Sequence, residues 1–283
     1  MSKSGERSVS DSLQTGKFYG ATLRHMQWDG VVLTEVSHTT GRKLPRHTHE
    51  SAYFGLLLAG SYSERCAQRS AEYAPFTMGF HPPALTHSDE VGRCGSRMFC
   101  VELRDEYLER TRPFLAAPQF TPDLCASEVT WLGLRLYRSF AGATLGALEL
   151  QELCSDMLER VNSSRRCEEK SRPVWLDRAL ELLCETYRQS LTLEEIAAQV
   201  GVHPIHLSRV FRKHYACTMG EFTNRLRVQY ACRALASGWA DLAAVASDAG
   251  FADQSHLGRS FKYCTGQTPG KFRSLFHSLR SAV

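Results

Sequence analysis

His206-Leu207-Ser208-Arg209-Val210-Phe211 and His256-Leu257-Gly258-Arg259-Ser260-Phe261 are one six-residue pattern written twice, fifty residues apart. Carried on through Phe222 and Phe272, the alignment holds seven identities in seventeen positions: His, Leu, Arg, Phe, Thr, Gly and Phe. An internal repeat of this length means one small structural unit built twice, so each copy is read for the element it encodes.

In the first copy Thr192-Leu193-Glu194-Glu195 has the form of a capping box, with Thr at the cap and Glu three residues on. Ile196, Ala197 and Val200 follow at helical spacing, and Gly201 suits the left-handed turn that ends a helix. Pro204 fits the first position of a second helix. There Leu207, Val210, Phe211 and His214 fall on one stripe, with Ile205, Ser208, Arg209 and Arg212 opposite. The second copy repeats the construction. Val245, Ala246 and Ala249 make a helix, Gly250 turns, and Asp253 caps a helix that points Leu257 and Phe261 inward. Its outer face carries Gln254, Ser255, Gly258, Arg259 and Lys262. Between the copies Thr218-Met219-Gly220-Glu221 is another capping box, opening a long helix that runs to Gly238.

A short helix, a glycine turn and a second helix with an arginine-bearing outer face describe a helix-turn-helix, whose second helix enters the major groove of DNA. Two such units held by one rigid helix address successive groove faces about 34 Å apart. Arginines on one exposed helix are usually only solvated; duplication of the whole unit argues for recognition.

The region from Val174 to Ser278 resembles the DNA-binding domain of the AraC/XylS family of bacterial transcription regulators. The resemblance rests on Gly250 through Lys262 and Thr265-Gly266-Gln267-Thr268-Pro269, with Ile196-Ala197 and Leu207 through Phe211 in the first unit. It implies base contacts from Ile205, Ser208 and Arg209, and from Gln254, Ser255, His256 and Arg259, with Arg212 and Lys262 on phosphates. It also implies promoter duplex DNA as the partner, with RNA polymerase and a second copy of the chain as further candidates.

Charge follows the same division. From Val174 onward there are 13 Lys and Arg against 9 Asp and Glu, so the whole net charge of +4 lies in that part and the front is neutral. A basic module joined to a neutral one suggests division of labour. The ten cysteines include no Cys-x-x-Cys pair, which excludes a zinc finger or a disulfide scaffold and fits reduced thiols in a cytoplasm. The polar start from Met1 to Lys17 has no signal-peptide core, and no apolar run approaches the roughly 18 residues of a membrane span.

From Val31 to Leu103 the pattern is one of short strands: Val31–Val36, Ala52–Leu58, Tyr62–Cys66, Phe76–His81 and Met98–Leu103. Gly60-Ser61 reads as the turn of a hairpin. Strands at this spacing suggest a small barrel or sandwich. Gly41, His47-Thr48-His49 and Gly60 resemble the first motif of the cupin barrel, and Pro75 to His87 a degenerate second one. The resemblance implies a metal or ligand site using His47, His49 and His87, with His81 and Tyr53 beside it. The motif's glutamate is missing, since Tyr53 and Phe54 stand in its place; Glu50 points away on an alternating strand, and Glu64 is one strand over. A three-histidine site suits a divalent metal, and direct contact with a small-molecule effector is the other use of the same pocket.

Two further helices are expected at Glu128–Phe140 and Thr144–Val161, the second apolar enough to need a partner, either the barrel or its counterpart in a dimer. The expected organisation is α+β. A flexible start (1–20) precedes a cupin-like β-barrel sensor (21–127), a helical segment (128–161) and a linker (162–173). An all-α double helix-turn-helix domain joined by a long helix (174–283) completes it. The function expected is a cytoplasmic DNA-binding transcription regulator with no catalytic residues. The alternative is a metal-dependent cupin enzyme or metal sensor carrying a DNA-binding tail.

Overall fold

The computed structural model describes residues 11–67, 69–111, 127–168, 172–238 and 241–280. The chain forms two compact units, Met1–Asp123 and Leu124–Val283.

The first unit is a single mixed eight-stranded sheet: β1 (Asp11–Leu13), β2 (Ala21–Trp28), β3 (Val31–His38), β4 (Arg42–His49), β5 (Ala52–Cys66), β6 (Arg69–Tyr73), β7 (Met78–His81) and β8 (His87–Leu103), followed by α1 (Asp105–Thr111). β8 is the hub. Its first part pairs with β4 on one edge, its last part with β3, and nearly its whole length with β5. Phe54, Phe80, Phe99, Leu33 and Leu56 are fully buried and fill the interior of this cupin-like sheet.

The expected hairpin at Gly60 is not there: β5 runs unbroken from Ala52 to Cys66. Gly60 has φ +81° and Gly95, almost opposite on β8, has φ +78°. A Cβ on Gly60 would stand 2.1 Å from the Gly95 carbonyl oxygen. The two glycines let both strands bend together, with register shifts on either side of Gly60, and the chain reverses after Cys66 instead. Nor are residues 11–20 a flexible start. β1 pairs in parallel with β4, setting Asp11 opposite His47 and Leu13 opposite His49.

The second unit is helical: α2 (Glu128–Ala141), α3 (Ala147–Glu168), α4 (Val174–Thr186), α5 (Leu193–Val200), α6 (Pro204–Tyr215), α7 (Met219–Ser237), α8 (Leu242–Asp248), α9 (Gln254–Thr265) and α10 (Pro269–Arg280). The local signals act as expected. Both capping boxes form, Thr192 with Glu195 and Thr218 with Glu221, and Gly201 takes the left-handed conformation at φ +71°. Asp253 caps α9 by accepting from the His256 N–H at 2.7 Å.

One boundary and one packing partner differ from expectation. The helix α3 continues to Glu168, so 162–168 is helix where a linker is expected; Asn162 is buried there and donates to the Leu158 carbonyl at 2.9 Å. The apolar face of α3 finds its partner within its own unit. It packs on α2 and α6, while α2 packs on α9. Leu150, Leu153, Met157 and Leu158 are buried, while Leu148 on the same helix is 69% exposed.

Candidate functional site

The repeat resolves into structural and unexplained positions. Leu207 and Leu257 are fully buried, as are Phe211 and Phe261. Phe211 meets Phe222 edge-on at 5.6 Å and 81°, and Phe261 meets Phe272 at 5.2 Å and 82°, so the same aromatic joint is built twice. Thr218 and Thr268 sit at the starts of α7 and α10, their hydroxyls accepting from the Glu221 and Lys271 N–H groups. His206 lies 5.4 Å from the Trp175 ring and His256 packs on Phe251 at 5.2 Å. Gly220 and Gly270 have open space around them. Arg209 and Arg259 are exposed and make no hydrogen bond or ion pair with the described residues. They are the repeated side chains for which the fold has no use.

Around them the expected contact residues line up on the second helix of each unit. On α6, Ile205 (65% exposed), Ser208, Arg209 and Arg212 face solvent. On α9, Gln254, Ser255, Arg259 and Lys262 do so, while His256 is half-buried. Packing of α6 and α9 against the same long α7 ties the two heads to one frame.

The other site is in the sheet unit. Sequence alternation puts His47 and His49 on one face of β4, and the β4–β8 register sets His87 opposite His47. One nitrogen from each of these three rings lies within 4.8 Å of the others. The His47 Nδ1–H donates to the Pro45 carbonyl at 2.9 Å and the His87 Nδ1–H to the Leu85 carbonyl at 3.1 Å. That directs each Nε2 lone pair into the cluster, the outer-shell arrangement metal-binding histidines use, with the Tyr53 hydroxyl 3.4 Å from His87 Nε2. His49 Nδ1 is buried with no hydrogen-bond partner.

Asp89 is the group the sequence reading missed. It lies two residues beyond His87 on the same strand face, with Oδ2 3.6 Å from His47 Nε2 and 3.8 Å from His87 Nε2. Both its oxygens are buried without a hydrogen-bond partner of ordinary geometry. The His-Ser-Asp alternation at 87–89 mirrors His-Thr-His at 47–49 and could have revealed it. Phe18 and Tyr19 were missed because the segment holding them shows no periodicity; Phe18 lies 4.8 Å from His49 and Tyr19 5.0 Å from His47.

His81 and Tyr53 occupy the neighbouring layer. Their rings stack at 4.2 Å and 1°, and the His81 Nε2 bonds to Glu64 at 2.8 Å. Glu64 also accepts from the Tyr73 hydroxyl at 3.1 Å, and Glu50 is exposed. Burial and three neighbouring histidines drive His49 down to about 2, and burial with His81 brings His87 to about 4, so both are neutral ligands. Burial pushes Asp89 up to about 8, against the opposing effect of the Tyr62 hydroxyl. Glu64 is held below its ordinary value because His81 and the Tyr73 hydroxyl outweigh its burial.

The three imidazoles are a donor set that suits a divalent transition metal, with the Asp89 carboxylate beside His47 and His87. The cavity at this site is small, about 30 Å³, with room for an ion or water.

Comparison with known proteins places the repeat. Residues 196–274 match a family described as a helix-turn-helix domain. The chain is 31% identical over 101 residues to the bifunctional transcriptional activator/DNA repair enzyme AdaA of Bacillus subtilis, covering 36% of this chain and 48% of AdaA. It is 24% identical over 267 residues to the Msm operon regulatory protein of Streptococcus mutans, covering 93% of this chain and 90% of that protein. The crystal structure of ToxT from Vibrio cholerae is 10% identical with a TM-score of 0.37, covering 87% of this chain and 98% of ToxT. No helix among the described residues is long and apolar enough to cross a membrane.

Proposed function

We infer that this chain, a regulator of the AraC type, binds promoter DNA sequence-specifically through two helix-turn-helix heads and senses an effector in its cupin-like unit. One observation carries the DNA reading: the arginine repeated at Arg209 and Arg259 is exposed on both second helices and unused by the fold. Such a side chain suits bidentate contact with guanine in the major groove. Ile205, Ser208, Gln254 and Ser255 stand beside the arginines as further base-edge contacts, and Arg212 and Lys262 as phosphate contacts. His256 serves packing at least as much as recognition, since Phe251 covers it.

In the sheet unit His47, His49 and His87, with Asp89 as the carboxylate, are the residues that would hold a divalent ion. Bound there, the ion would supply a positive charge that offsets the buried Asp89 and a cross-link between β4 and β8. The transcription regulators that this chain resembles favour a sensor over an enzyme for this site. The ligand would act by binding one conformation of the chain better than another, shifting the DNA-competent population by that difference in affinity.

Selection of random duplexes on the full chain tests the DNA reading. The expected winner is a two-block motif with centres about 10–10.5 base pairs apart. Failure to enrich any motif, with binding that depends only on salt, overturns it.

A further inference from the structure

The helical unit contains a second, larger concavity. Its volume is about 380 Å³, within the range of small-molecule pockets, and Glu128, Trp131, Leu132, Arg135, Arg138, Arg160, Arg225, Tyr263, Cys264 and Gly266 line it. Four arginines face one carboxylate. Glu128 accepts from Arg225 at 2.6 Å and is also ion-paired with Arg160, so it neutralises at most part of that charge. Arg138 donates to the Gly266 carbonyl at 3.3 Å, which the negative end of α9 accounts for. Arg135 is exposed and makes no ion pair or hydrogen bond with the described residues, although it stands beside the same glycine. Trp131 is 5% exposed, and its indole N–H is buried without an acceptor. A buried donor left unmatched is unfavourable, and it marks a place where an acceptor belongs.

We propose that this cleft binds a small organic oxyanion, a carboxylate or phosphate carried on a flat apolar body. The arginines and the Trp131 N–H meet the anionic head, and Trp131, Leu132 and the exposed ring of Tyr263 take the apolar part. Arginine's planar fork matches both oxyanions, and aromatic faces suit a flat body. DNA phosphate is the other anion in reach of this unit, but a duplex backbone needs no pocket floored by Trp131 and Leu132. The site touches α9 through Tyr263, Cys264 and Gly266, the last turn and cap of the helix that carries Arg259. A ligand there bears on the second reading head from the side opposite its N-terminal contact residues. The binding claim itself does not depend on what α9 recognises.

Calorimetric titration of the full chain with phenyl phosphate, benzoate and inorganic phosphate tests this. One-site binding of phenyl phosphate or benzoate, tighter than inorganic phosphate, is expected. Arg135→Glu should weaken it at least about tenfold with an unchanged melting temperature, because Arg135 supports nothing in the fold. Trp131→Phe, which keeps the packing and removes the donor, should weaken it as well. The proposal is overturned by no saturable binding up to about 10 mM, by organic probes binding no better than inorganic phosphate, or by indifference to Arg135→Glu. An Arg135→Glu defect confined to DNA binding, with no probe bound, would assign the arginines to the duplex backbone and equally overturn it.

Discussion

Removing the Arg259 guanidinium should separate sequence reading from adhesion to DNA. Arg259 is exposed on α9 and has no partner within the described fold, so Arg259→Ala removes no protein contact and should leave the melting temperature unchanged. A bidentate arginine–guanine pair contributes about 1–3 kcal/mol of discrimination, which is roughly 5- to 150-fold in affinity for the right site over the wrong one. Arg209, fifty residues earlier on a separate head, should behave the same way. Because the two heads share no contacts at these side chains, the double variant should lose about 2–6 kcal/mol, near the sum of the singles. Fluorescence anisotropy with the selected duplex and a scrambled one, each over a salt series, separates the terms. The arginine variants should lower affinity for the selected duplex alone. Arg212→Ala and Lys262→Ala should weaken both duplexes about equally and reduce the salt slope by about one each. An Arg259→Ala chain that keeps its full preference for the selected duplex refutes the assignment.

Other expectations concern the sheet unit and the helix ends. Zinc added to the metal-stripped chain should bind at one equivalent by elemental analysis and raise the melting temperature, and His47→Ala or His87→Ala should abolish both effects. Glu102 is fully buried and burial pushes its carboxyl up to about 7, although the Gly16 N–H donates to it at 2.8 Å. The folded state therefore holds this proton more tightly than the unfolded one, so stability falls as pH rises from the ordinary carboxylate range through 7. In urea melts Glu102→Gln should be nearly neutral at pH 4 and stabilising by up to about 3 kcal/mol at pH 8; an equal effect at both would exclude the ionisation. Thr192→Ala removes the hydroxyl half of a capping box, leaving the Glu195 carboxylate on the residue-192 N–H, and should cost about 1 kcal/mol in denaturant unfolding. Gly60→Ala drives a Cβ into the Gly95 carbonyl at positive φ and should cost at least about 2 kcal/mol, a loss that unchanged unfolding would contradict.

The helical unit was legible because its signals are local. Caps, turn glycines and a 3.6-residue stripe lie within a dozen residues of each other, and the repeat supplied each twice. The sheet unit was less so because its partners are distant in sequence. Gly60 carries the same residue type whether it turns a hairpin or bends a strand, and only Gly95, brought opposite by β8, decides which. The histidines at 47, 49 and 87 come together as expected, and the carboxylate beside them, Asp89, comes from a strand where no motif looks for one. Phe18 and Tyr19 reach the cluster from a stretch that looks like a tail, held there by parallel pairing of β1 with β4. Continuation of α3 through 162–168 was hidden by polar composition, which a helix end can carry as well as a linker.

The helices α2 and α3 form a hairpin that leans on α9 with one arm and on α6 with the other. A displacement of that hairpin therefore bears on both proposed DNA-reading helices together. Occupancy of the operator should accordingly rise and fall as one event, with no long-lived half-attached complex, even though the two binding modules are separate in sequence.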